Sequence, residues 1–414
     1  MYVTYLISGM FNKIVVLLSI IFVSHYLSEN QFGIYSLILS NGLLLQIFCG
    51  SWLSASVGRA FAIYPPDFFS VLINGSILSA MIIGVIGICA IVVYALLPNP
   101  PLSTGIVIAV IGFAISLIWY ELIQAAQNGM GQARHYALNA IARNVGMFLP
   151  AMIVVATTGL AVHVIAGQIA VTVVVTLIAL RLIVTRYAIS IKPTKQAMDW
   201  KIFRSVGVNG TLLFGYYIIV SALFKNVIAY RFGVDIAGQL GLALDLLFAP
   251  LALLSNAASL SQMPILYRLA REREGDRGVP WRRSVMRYVT AHLSVAAPYV
   301  IVATFLFPLA ARLVLPSNFQ SLSFINTLWL ATLSAALVIM YSLLTILTIF
   351  GRPWKMSMVC LFAVSAHLFA VTIAGDTAFA IIEYAAFAQI SAILIAVAML
   401  ASITIIYDKN VDLK

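Results

Sequence analysis

An all-α, polytopic membrane fold is predicted by three features of the sequence. Hydrophobic residues make up 63% of the 414 positions and charged residues only 9%, whereas soluble chains carry about 25% charge. The apolar residues fall into stretches of about twenty, the length a helix needs to cross a bilayer. The bases collect in alternate loops between those stretches, as topology-setting residues do. A soluble chain of this size would have to cover a large surface with polar groups, and this one has too few.

Cutting the chain at charge, Pro/Gly and turn signals gives twelve spans. The first, at roughly 3–27, lacks a basic n-region and is too long for a signal-peptide core, so it reads as a retained span. The second, 33–58, ends at Arg59; Pro65-Pro66-Asp67 separates it from the third, 69–97, and Pro98 to Pro101 precede the fourth, 102–127. Gly129 and Gly131 open the way to 138–158, and Thr157-Thr158-Gly159 divides that span from 160–184. A basic segment occupies 185–203, and beyond it lie spans at 204–229, 236–262, 286–311, 320–349, 354–375 and 378–407. The cytoplasmic loop between the eighth and ninth spans, 263–285, contains the basic run LYRLAREREGDRGVPWRR.

Twelve spans with both ends cytoplasmic place twenty of the 24 Lys and Arg residues on the inner side. Only Arg231 and Arg312 fall outside, while Lys13 and Lys225 lie within spans. The net charge of +11 therefore sets topology and meets anionic lipid, and nucleic acid is not an expected partner. The segment 191–203 is expected to link an N-terminal lobe (1–190, six spans) to a C-terminal lobe (204–414, six spans). A shift of 205 residues lays Gly33 over Gly238 and Leu37 over Leu242, which suggests pseudo-symmetric six-helix lobes.

No nucleotide-binding loop, zinc-protease motif or serine-hydrolase elbow occurs, so an enzyme is not expected. Cys49, Cys89 and Cys360 lie in apolar runs without ligand spacing and read as small hydrophobes, with no metal site. External loops are too short for a catalytic domain.

Ionisable residues at membrane depth cost about 2.5–3.5 kcal/mol each, so they should face a cavity or a partner. Lys13 lies roughly 15 Å into the first span, beside Asn12; snorkelling is the competing reading and is difficult from that depth. Asn41, Trp52 and Arg59 share one face of the second span at 100° per residue, although Arg59 also suits an ordinary topology anchor. Lys225 lies toward the outer end of the seventh span, where interfacial snorkelling competes with function. Glu121 and Asp245 are the carboxylates suited to carry a coupling ion, and the bland alternative for Glu121 is an ion pair with a base on a neighbouring span. The lone histidines His163, His292 and His367 read as packing residues. Deep cations suit an anionic headgroup.

Three segments carry a family resemblance: YLSENQFGIYSL after the first span, GSWLSASVGRAFA ending the second, and IQAAQNGMGQARHYALNAIARNVGM through the fourth and fifth. They resemble the polysaccharide-transport (Wzx-type O-antigen and exopolysaccharide repeat-unit) flippases of the multidrug/oligosaccharidyl-lipid/polysaccharide exporter superfamily. The resemblance implies two six-helix lobes around a central cavity and alternating access in a bacterial inner membrane. The implied substrate is an undecaprenyl-pyrophosphate-linked oligosaccharide, turned from the inner to the outer leaflet. Lys13, Arg59 and Lys225, with Asn12, Asn41 and Trp52, would contact it; Glu121 or Asp245 would couple the step to H+ or Na+, with no other cofactor. Expected partners are the lipid-linked glycan, membrane lipids and other polysaccharide-assembly proteins. The competing readings are a multidrug or small-solute antiporter of the same superfamily, and a non-transporting scaffold of a glycan-assembly complex. The twelve-span count lacks the two extra spans typical of lipid II flippases.

Overall fold

The computed structural model describes residues 2–54, 57, 77, 79–86, 103–187, 208–273, 281–319, 322–350, 353–375 and 377–411. Among these residues the long elements are all α-helices. They are α1 (Tyr2–Tyr26), α2 (Glu29–Gln46), α3 (Thr104–Gly129), α4 (Ala133–Thr158), α5 (Ala161–Tyr187) and α6 (Val208–Phe232). They continue with α7 (Val234–Arg273), α8 (Trp281–Val314), α9 (Phe324–Phe350), α10 (Pro353–Ile373) and α11 (Ala378–Val411). Each corresponds to one expected span. The third expected span, 69–97, lies largely outside the described residues, and its described stretch 79–86 is helical. Eight of the described helices are long and apolar enough to cross a membrane. The fold is a two-lobed, all-α polytopic membrane architecture.

The turns obey local chemistry. Ser28 caps α2, its hydroxyl accepting from the Gln31 N–H, with Glu29 in the positive first turn. Gly131, Gly159 and Gly233 adopt positive φ in the α3–α4, α4–α5 and α6–α7 turns, a conformation that favours glycine.

One expected loop is partly helix. The stretch 263–273, read as the start of a cytoplasmic loop, continues α7 to a length of 40 residues. That is about 60 Å, twice the hydrocarbon thickness. The extension is rich in Leu and Arg, both good helix formers, and Leu266 and Leu269 are buried.

The chain clusters into two units, Met1–Ile218 with Gly233–Gly238, and Ile219–Phe232 with Gln239–Lys414. In the first, α3 packs against α2, α4 and α5, and α1 lies along α4. In the second, α9 packs against α8 and α11 and, less extensively, α10. The helices α3 and α9 are the fourth span of each half, and they are the two most buried of the eight, at 67% and 78%. The repeat faintly visible in the sequence is thus reproduced in packing.

The Gly33/Gly238 pair that suggested the repeat is also a physical contact within the first unit. A Cβ on Gly238 would lie 2.8 Å from the Gly33 nitrogen, and one on Gly33 would lie 2.1 Å from the Val234 carbonyl oxygen. Backbone meets backbone there, and no side chain could yield to make room.

Candidate functional site

Glycine spacing brings the first polar cluster together. Gly42 on α2 and Gly50 in the turn that follows it lie four residues either side of Gln46. A Cβ on Gly42 would fall 2.6 Å from Phe113 Cδ1, and one on Gly50 would fall 2.5 Å from Ile118 Cγ1. Their bareness lets α2 lie close on α3, which places the buried Gln46 side chain against Glu121. Gln46 Nε2 donates to a Glu121 carboxylate oxygen and also to Ser51 Oγ at 3.1 Å, so both amide N–H groups are used.

The chain runs as a π-turn over Ile47–Ser51, a feature frequent at functional sites. Its wider turn rotates the downstream residues by about 100°, one residue's worth. The shared face expected for Asn41 and Trp52 assumed a regular helix, and the π-turn removes that premise. Asn41 Nδ2 donates to the Leu37 carbonyl and Trp52 Nε1 to that of Cys49. Trp52 also packs against the apolar cluster of Leu53, Ile118 and Leu122.

Arg143 completes this cluster, and the sequence reading missed it by counting it among the inner topology bases. Because α4 begins at Ala133, Arg143 lies ten residues in, at a depth of about 15 Å. Its guanidinium sits 4.6 Å from the centre of the Tyr120 ring, donates from Nε to Thr172 Oγ1 at 3.3 Å, and acts electrostatically on Glu121. Beyond it on α5, Gln168 Nε2 donates to Tyr35 Oη at 3.0 Å. Four helices therefore contribute to one polar layer. A base on a neighbouring span, Arg143, thus acts on Glu121 through space, but among the described residues the two form no direct salt bridge.

The second unit holds a simpler site. Lys225 Nζ and Asp245 Oδ2 form a salt bridge of 2.7 Å, joining an expected substrate contact to an expected coupling carboxylate. Counted from their shared turn at Gly233, Lys225 lies about 10 Å deep on α6 and Asp245 about 16 Å deep on α7. Lys225 is the more enclosed, with a side chain 5% exposed against 26% for Asp245. Asp245 is the more open partner.

Lys13 is exposed on α1, and beside it the half-buried Asn12 has an Oδ1 with no hydrogen-bond partner among the described residues. Arg59 lies outside the described residues. Of the histidines, His292 is buried and bonded to Ser259 Oγ and to the Tyr288 carbonyl. His367 is fully buried with neither ring nitrogen partnered among the described residues. Those residues contain no His/Cys/Asp/Glu group able to hold a metal ion.

Neither a family model nor a curated protein matches the sequence. Solved structures do match in fold. The lipid II flippase MurJ in an inward closed conformation superposes with a TM-score of 0.72 at 12% identity, over 95% of this chain and 87% of that one. An inward-facing multidrug resistance MATE family transporter of the MOP superfamily gives 0.69 at 14% identity, over 95% of both chains. A MOP superfamily transporter from Pyrococcus furiosus, described as having a binding pocket of reverse polarity, gives 0.58 at 14% identity, over 97% and 95%. The chain has the fold these transporters share.

Proposed function

We propose that this chain is a flippase that turns an undecaprenyl-pyrophosphate-linked oligosaccharide repeat unit from the inner to the outer leaflet by alternating access. The observation that carries the reading is the enclosed ammonium of Lys225 at membrane depth. A cation there is costly, and an anionic headgroup is the cargo that makes use of it. Lys13, Arg59 and Arg143 add positive charge along the first half. On this reading the pyrophosphate leaves the inner headgroup layer past Arg59 and Lys13 and reaches Lys225 near the outer face, while the polyprenyl tail stays in lipid. Glu121 or Asp245 takes the coupling H+ or Na+, and binding there favours one conformation over the other. The protein sits in a bacterial inner membrane with both termini cytoplasmic, beside other polysaccharide-assembly proteins.

A multidrug or small-solute antiporter is the second reading. What favours it is Glu121, a carboxylate at membrane depth suited to a cation, together with the likeness in fold to the MATE transporter.

The test is the sidedness of lipid-linked glycan in a deletion strain. Accumulation of undecaprenyl-linked repeat units in the inner leaflet supports the flippase. Unchanged sidedness with altered drug susceptibility supports the antiporter. In the complemented strain, Lys13→Ala is expected to abolish surface glycan at unchanged protein level, and normal glycan output from that variant would remove Lys13 from the path.

A further inference from the structure

The helix α8 has an outward face that stays open among the described residues. Of the eight helices able to cross a membrane it is the least enclosed, 22% buried. Its buried residues Val285, Tyr288, His292, Ala296 and Ala303 follow one side, and α9 is the helix it packs against most. Ser259 of α7 bonds to the Tyr288 hydroxyl at 3.2 Å and to His292 Nε2 at 3.0 Å, which fixes the rotation of α8 at its inner end. Arg283 and Arg287 then fall about 40° apart on the opposite side, and both are exposed. The same side continues through Leu293, Ile301, Phe305 and Leu309, each 44–62% exposed.

We infer that this face of α8 binds one anionic glycerophospholipid of the inner leaflet, with its phosphate between Arg283 and Arg287 and a chain along the apolar stripe. The site does not rest on the flippase reading. Residues four apart on a helix have Cβ atoms about 6 Å apart. Two long arginine side chains at that spacing can close on a single phosphate, each through a fork of N–H donors. From Arg287 to Pro298 the helix rises about 16 Å, the depth of one leaflet in a hydrocarbon core about 30 Å thick. Over that length Ser294, Ala297 and Pro298 are exposed and small, which leaves room for a chain between Leu293 and Ile301.

Charge selects the occupant. The helix α8 has no acidic residue, and among the described residues no salt bridge engages Arg283 or Arg287. A topology signal needs bases only on the inner side; it does not need two of them on the face that carries the exposed apolar stripe. A second copy fits poorly. The two-fold axis of a membrane dimer runs along the membrane normal, so this face against itself would bring four arginines together at one depth. A zwitterionic lipid offers its phosphate together with an ammonium, which the arginines repel. An anionic headgroup keeps its charge uncompensated, and each base beside it adds about fivefold in affinity.

The experiment is native mass spectrometry of the purified, delipidated full chain, titrated with dioleoyl phosphatidylglycerol or dioleoyl phosphatidylcholine. Wild-type protein should retain one phosphatidylglycerol in preference to phosphatidylcholine. Arg283→Gln with Arg287→Gln should lower the affinity for phosphatidylglycerol about thirtyfold, and either change alone about fivefold. Arg283→Lys with Arg287→Lys keeps the charge without the fork and should fall between wild type and the glutamine pair. The control is Arg134→Gln with Arg181→Gln, which removes the same charge from two exposed bases of the first unit and should leave the affinity unchanged. An equal loss in the control would reduce the effect to net charge and overturn the site, as would equal retention of the two lipids. Glycerophosphoglycerol, the headgroup without chains, should not displace the bound lipid, and displacement at matched concentration would overturn the lipid as occupant. A wild-type dimer that the glutamine pair dissociates, with no lipid retained, would put a second copy on this face and overturn the proposal.

Discussion

The two halves share a packing plan and differ in where they keep their charge. Each centres on its fourth span, α3 or α9, the most buried of the helices able to cross a membrane. The helix α3 carries Tyr120 and Glu121 into a polar layer built with Gln46, Arg143 and Thr172, whereas α9 has no charged residue. In the second half, the salt bridge formed among the described residues joins α6 to α7, Lys225 to Asp245. In the first half an amide, a ring and a hydroxyl lie against the half-buried charges of Glu121 and Arg143. In the second, Lys225 and Asp245 meet in a salt bridge between adjacent helices.

The strongest way to break this comparison is to remove the guanidinium. Arg143→Met leaves the half-buried Glu121 carboxylate with Gln46 as partner and without the nearby cation, which should cost about 3 kcal/mol. Glu121→Gln keeps the Gln46 contact as a neutral hydrogen bond and should cost about 1 kcal/mol. The double variant should recover part of the Arg143→Met loss, because the unpaired charge is gone. Thermal unfolding of the three proteins in one detergent measures the set. Strict additivity would show that Glu121 and Arg143 do not work as a unit, and the contrast between the halves would fail.

A smaller effect is expected where the two equivalent glycines meet. Gly33→Ala puts a Cβ 2.1 Å from a carbonyl oxygen, so helices must move apart, at a cost of about 1–3 kcal/mol. Gly42→Ala, whose Cβ would fall 2.6 Å from a side-chain atom and not against backbone, should cost less, because Phe113 can turn aside. Melting temperatures in the same detergent rank the two. A Gly33→Ala protein as stable as wild type would mean that the contact at Val234 is loose in the membrane.

Much of this architecture was legible because lipid imposes a simple rule: a helix must be about twenty apolar residues long. That rule located the described helices, and it failed at 263–273 because an amphipathic helix needs no lipid to continue. The second-half site was half legible, since Lys225 and Asp245 each stood out as a charge in an apolar run. Their pairing was not, because twenty residues of chain and a turn lie between them. Arg143 was hidden by a boundary error of five residues, which moved it from the interior of α4 to its supposed end. Gln46 was hidden by its neutrality, although Gly42 and Gly50 at four-residue spacing around a polar side chain mark a close helix contact. The π-turn had no signature in composition, so the regular-helix spacing that joined Asn41 to Trp52 carried no sign of the break between them.

The smallest effects belong to the helix ends, where the halves again use opposite chemistry. Gln31 Oε1 accepts from the Ala161 N–H at the start of α5, at 2.9 Å. Arg231 donates from Nη1 to the Ala374 carbonyl just past the end of α10, at 2.7 Å. A helix start presents unpaired donors and a helix end unpaired acceptors, so a neutral carbonyl serves one and a cation the other, helped by the helix dipole. This gives Arg231 a structural reason to break the pattern of inner-side bases. Arg231→Ala should cost about 1 kcal/mol and Gln31→Ala about half as much. Arg231→Lys should recover the dipole term without the fork, leaving a partial loss. Equal stability of Arg231→Ala and wild type, measured in the same melting series, would return Arg231 to the role of a stray topology charge.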